Sequence, residues 1–75
     1  MGPFFYTVIE VQLMANGSFG LLYNNYTEEC DAEADLYTRL AAAAKSTIPY
    51  HSACIRRSDG VVTEGRVYDR RKQED

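Results

Sequence analysis

The sequence predicts an α+β domain of order ββαββ, a four-stranded antiparallel sheet with one helix packed on one face. Three observations predict it. A single stretch of helical periodicity runs from Thr27 to about Lys45, period-2 segments flank it on both sides, and the turn dipeptides Asn16-Gly17 and Asp59-Gly60 split each flank into two strands. The chain of 75 residues has room for one domain, 1–75, with an ordered core of about residues 4–68. A core of that size rarely supplies more than about 3–5 kcal/mol without a staple or a partner.

The first strand is read from Phe5 to Leu13, where residues alternate in the manner of a half-buried strand. Its odd positions, Phe5, Thr7, Ile9, Val11 and Leu13, are assigned to the helix side. Asn16-Gly17 then turns the chain, because both residues tolerate positive φ, and Phe19 to Tyr23 returns as the second strand. Thr27 is expected to cap the helix, with Glu28, Glu29 and Asp31 placed where the helix dipole favours negative charge. Within the helix, Cys30, Ala34, Tyr37, Ala41 and Ala44 follow helical spacing and are read as the buried stripe, widened by Leu36 and Leu40. Ala41 to Ala44 let the backbone lie close to the sheet. Ile48-Pro49 ends the helical region, since proline cannot continue it and pushes the residue before it towards extended geometry. A third strand is read from Tyr50 to Arg57, a turn at Ser58-Asp59-Gly60 and a fourth strand from Val61 to Tyr68. Residues 69–75 have no apolar anchor and are expected to fray.

One helix covers only one face of such a sheet. With the odd face inward, Phe4, Tyr6, Val8 and Met14 fall on the uncovered side, an apolar patch large for a monomer unless the N-terminal residues or the tail cover it. The expectation is a homo-oligomer, a dimer or larger, joined through the open face or an edge strand.

Hydrophobic residues make up 45% and charged residues 25%, and no apolar run is long enough for a transmembrane helix, so a membrane partner is not expected. The N-terminal residues lack the basic stretch and cleavage site of a secretory leader, which leads to the expectation of a bacterial cytoplasmic protein. Cys30 and Cys54 then read as reduced, small apolar residues rather than a disulfide. The net charge of −3 is unevenly spread: residues 1–44 carry −5 and residues 45–75 carry +2. That local basic character does not suit an extended nucleic acid, which calls for a broad basic face, but it does suit a small anion held by a few arginines.

His51 is the only histidine, and neither cysteine stands at a metal-ligand spacing from it, so no metal or other cofactor is implied. His51 with Ser46, Ser52 or Cys54 is formally a base and nucleophile, but His51 and Ser52 point to opposite faces of a strand, and no nucleophile elbow is present. The acidic run Glu28 to Asp35 lacks the spacing of a calcium loop and reads as a solvated first-turn face. The candidate ligand-binding set is therefore Arg56, Arg57 and Arg66, whose guanidiniums bind phosphate or carboxylate through a planar fork, with Tyr37 and Tyr50 as stacking surfaces and His51 beside them.

Tyr6 to Gln12, Ala32-Glu33-Ala34 with Tyr37, Leu40 to Ser46, Pro49 to Ala53 and Asp59-Gly60 together resemble a group of short proteins encoded by phages and prophages of gut bacteria. The resemblance spans about residues 5–68 and is most specific between helix and third strand. It implies a viral origin and a ββαββ chain, and it brings no catalytic residues. In that setting the expected function is non-catalytic: sequestration of a nucleotide-type signal, similar to the phage sponges that counter bacterial immunity, with the ligand held between protomers. The alternative is an inhibitor or adaptor that binds a host protein through an edge strand or the open sheet face. A small hydrolase using His51 stands third.

Overall fold

The computed structural model describes residues 4–71. It has the expected α+β architecture: β1 (Tyr6–Leu13), β2 (Phe19–Tyr26), α1 (Glu29–Lys45), β3 (Tyr50–Arg57) and β4 (Val62–Asp69). The strands form one antiparallel sheet in the order β2-β1-β3-β4, so β2 and β4 are the edges and β1 and β3 the centre. No helix is long and apolar enough to cross a membrane among the described residues.

The two hairpins are closed by the same device. Gly17 N–H donates to Met14 O and Met14 N–H to Ser18 O, and at the other end Gly60 N–H donates to Arg57 O and Arg57 N–H to Val61 O. These are three-residue loops with a glycine at the left-handed position, φ +91° at Gly17 and +94° at Gly60. Asn16 and Asp59 brace them, accepting backbone N–H bonds from Ser18 and Val61 respectively.

β2 runs three residues further than the sequence suggested, to Tyr26, and this shortens the helix at its start. Thr27 is consequently not the cap. Glu28 occupies that position with extended backbone and makes no side-chain capping bond. The C-terminal end is as expected: Ser46 N–H donates to Ala43 O, and Ser46 Oγ accepts from Ile48 N–H just before Pro49. Arg70, just past β4, donates to the last-turn carbonyls of Ala43 and Ala44, where positive charge complements the helix dipole. Residues 69–71 are therefore anchored rather than frayed; the rest of the expected frayed tail, 72–75, lies outside the described residues.

The largest departure from the sequence reading is which face of the sheet the helix covers. Val8, Ala53 and Ile55 are buried beneath Ala32 and Leu36, with Tyr6, Tyr26 and Leu40 packed around them. The even positions of β1 thus face the helix, and the odd positions Thr7, Ile9, Val11 and Leu13 lie on the open side. The helix is rotated to match: Ala32, Leu36 and Ala43 are buried, whereas Cys30, Ala34, Tyr37, Ala41 and Ala44 are exposed. Both corrections share one cause. The true contact stripe includes Asp35 and Arg39 on the helix and Glu10 and His51 on the sheet, charged groups that a hydrophobic pattern assigns to solvent. They meet each other instead.

Candidate functional site

Two regions could carry function: the polar network under the helix and the uncovered sheet face. In the network, Glu10 and His51 come from the central strands and are 5% and 4% exposed, so each needs a partner to be tolerated. Glu10 Oε2 bonds His51 Nε2 and accepts from Gln12 Nε2 at 3.2 Å. Its other oxygen accepts from Arg39 NH1 at 2.6 Å. Arg39 Nε donates to Asp35 Oδ1 at 2.8 Å, one helical turn away, and Tyr26 Oη donates to Asp35 Oδ2 at 2.6 Å. The chain of contacts runs His51, Glu10, Arg39, Asp35, Tyr26 and ties α1 to three strands. Burial pushes the Glu10 carboxyl up, but bonds from His51, Arg39 and Gln12 outweigh it and hold the group below the usual carboxylate range. Asp35 behaves alike: burial raises it, and bonds from Tyr26 and Arg39 bring it below its ordinary value.

This network has the charge of a catalytic centre without the access. His51 is covered by the helix, its Nδ1 has no hydrogen-bond partner among the described residues, and its ring bonds only Glu10 and Gln12. Ser52 lies on the opposite face. No group of three or more histidine, cysteine or carboxylate side chains capable of holding a metal occurs among the described residues.

The open face is composed of cross-strand rows. From one end they are Asn25-Thr7-Arg56-Val62, Tyr23-Ile9-Cys54-Gly65, Leu21-Val11-Ser52-Val67 and Phe19-Leu13-Tyr50-Asp69. Phe19, Leu21, Tyr23, Val62 and Val67 are more than half exposed there, and Phe5 continues the patch beyond the first row. Its charges sit at the ends: Arg56 in the first row, and in the last row Asp69, which Arg71 engages through a 2.8 Å bond and holds at about pKa 2. Gly65 is required by close approach. A Cβ at that position would lie 2.7 Å from Cys54 Cβ. The surface therefore dips along β4, forming a hollow of about 400 Å³ between Cys54 and Val67.

Of the six sequence-predicted site residues, only Arg56 and Arg57 come together, in the lining of one hollow. Arg56 and Tyr50 are on the open face in its first and last rows, whereas His51 is under the helix. Arg57 caps the end of β3, paired with Asp59 at 2.7 Å and lying over the Phe4 ring. Arg66 and Tyr37 are on the helix side of β4, Arg66 over the Tyr68 ring and Tyr37 Oη donating to Glu64 at 2.5 Å. That bond pushes the Tyr37 phenol up to about 12. Among the six, Arg56 alone is a charged group exposed on the open face. The network residues Glu10, Arg39 and Asp35 were missed, although Asp35 and Arg39 stand at the i, i+4 spacing of a helix ion pair. Cys30 and Cys54 are free, the first exposed and the second half-buried on the open face. The fold and its surfaces define a ββαββ domain with one covered and one open sheet face. Comparison of the chain with protein-family models, curated proteins and solved structures found no match in any of the three.

Proposed function

We propose that this protein is a non-catalytic binding module whose working surface is the open face of its sheet, and that the first occupant of that face is a second copy of the chain. One observation carries the reading: the face with Ile9, Val11, Leu13, Phe19, Leu21 and Tyr23 is apolar at its centre and charged only at its ends. That is the anatomy of an interface, with charge depleted in the middle and tolerated at the rim. Four strands at about 4.8 Å and eight residues at about 3.3 Å give a face of roughly 500 Å². Two such faces in contact bury about 1,000 Å², the threshold for a specific association.

A second reading has its own observation. β2 is an edge strand of eight residues, Phe19–Tyr26, with no charge and no proline, whereas the opposite edge β4 carries Glu64, Arg66 and an irregular register beside Ile55/Arg56. Proteins usually protect edges by the second means, so β2 suits addition of an extended segment from another protein.

Light scattering across concentration tests the reading together with thiol labelling. Cys54 is on the proposed contact and Cys30 is not. A dimer in which Cys54 loses reactivity with rising concentration while Cys30 keeps it, and which Leu21→Lys returns to monomer without unfolding, is the expected result. A monomer at every concentration, or a dimer in which Cys54 stays reactive, overturns it.

A further inference from the structure

We propose that the hollow beside Arg56 is a binding site for a small anion, a phosphate monoester or carboxylate, carrying a flat apolar body. The inference rests on the open face being a binding surface but not on self-association. The hollow has a volume of about 540 Å³, within the range of small-molecule sites, and lies where the first row of the open face meets the end of β3. Phe5 and Ile9 supply its apolar wall.

Its polar lining is one-sided. Arg56, Arg57, Asn25 and Ser58 contribute donors, Thr7 lines it with a hydroxyl whose proton goes to Asn25, and no carboxylate lines it. Arg57 is occupied by Asp59, whereas Arg56 has neither a hydrogen bond nor an ion pair among the described residues. Two of the neighbouring polar groups already accept within the protein: Asn25 Oδ1 takes the Thr7 hydroxyl at 2.8 Å, and Ser58 Oγ takes Phe5 N–H at 3.2 Å. The Asn25 amide NH₂, the Ser58 hydroxyl proton and the Arg56 fork are left to donate. A rim rich in donors and without a carboxylate, on an apolar floor, matches an anionic head on a flat body. Cross-strand pairing with Thr7 fixes the position of Arg56, and the chain reversal after Arg57 fixes Ser58 through its backbone bond to Phe5 O at 2.9 Å.

The test is a titration of isotope-labelled protein, followed by amide shifts, with 1-naphthyl phosphate, 1-naphthoate, 1-naphthol and inorganic phosphate. Light scattering on the same samples reports the oligomeric state, so failure of the site and failure of self-association are read separately. The expected result is saturable shifts at Phe5, Thr7, Ile9, Asn25 and Ser58 with one or both naphthyl anions, the tighter of them naming the head group. Naphthol and inorganic phosphate, each half of the ligand, bind at least tenfold more weakly. Arg56→Gln weakens the anion about tenfold or more, and Arg57→Gln, whose side chain is already paired, weakens it less. Shifts confined to other rows, equal binding of naphthol, or an Arg56→Gln variant that folds and binds as the parent does would each overturn the assignment.

Discussion

The sheet face beneath α1 contains Glu10 and His51 at its centre, and the face turned to solvent contains Ile9, Val11 and Leu13 of β1, the strand that carries Glu10. Hydrophobic burial alone favours the opposite arrangement, with the uncharged row inward and Glu10 in water. Pairing explains why it does not occur. A buried carboxylate is costly only when it lacks partners, and Glu10 has three. The apolar core it sits beside is small, with Leu36, Ile55 and Val8 as its largest fully buried side chains. In this domain the polar network lies between helix and sheet, and the apolar side of the sheet is the one the helix leaves uncovered.

Substitutions that separate the two faces should differ most in monomer stability. Leu36→Ala removes a fully buried side chain from the covered face and is expected to cost about 3 kcal/mol in urea denaturation. Leu21→Ala, on the open face and 59% exposed, is expected to change the dilute monomer by less than about 0.5 kcal/mol. Equal effects would mean that the open face is covered within the monomer.

Glu10→Gln keeps the shape of the side chain and removes its charge, leaving Arg39 without its buried partner. The expected loss is about 2 kcal/mol, because the partly buried Arg39 guanidinium keeps Asp35 but loses its charged partner on the sheet. A double-mutant cycle with Arg39→Gln should return a coupling of about 1 kcal/mol or more, and additivity would remove the network from the account.

The pH dependence follows from the same groups. Glu10 and Asp35 have folded-state values below their ordinary ones, so their contribution to stability is complete above the unfolded carboxylate range near pH ~4–5. It is lost as pH falls through the lower folded values. Denaturation midpoints should therefore drop below about pH 5, and Glu10→Gln should flatten that drop.

A smaller loss than at Leu36 or Glu10 is expected at the loops, which serve both faces equally. Gly60→Ala places a Cβ on a residue with φ +94° and should cost about 1 kcal/mol by thermal denaturation, with no change in association.

The element order and both hairpin turns were legible because their signals are local: Asn16-Gly17, Asp59-Gly60 and Pro49 each dictate backbone geometry within a few residues. The helix boundary at Lys45 was legible for the same reason, whereas its start was not, since Asn24, Asn25 and Tyr26 look like loop residues until they pair with β1. The covered face was misread because hydrophobic period gives the apolar stripe of an element and not its partner. Val8 and Glu10 occupy the same face, and only the meeting of Glu10 with Arg39, 29 positions away, makes that face an interior. Of the hollow at the end of β3, Arg56 and Arg57 were the lining residues that the sequence singled out. Arg57 and Tyr37 had carboxylate partners, Asp59 and Glu64, that neutralise their availability, and the partner of Tyr37 becomes visible only once the helix is set against β4.

The helix packs on the Glu10 side of the sheet, and nuclear Overhauser contacts from the Leu36 methyl groups report that placement. They are expected to reach the methyls of Val8 and Ile55 and not Ile9 or Val11; contacts to Ile9 and Val11 with none to Val8 would put the helix on the other face.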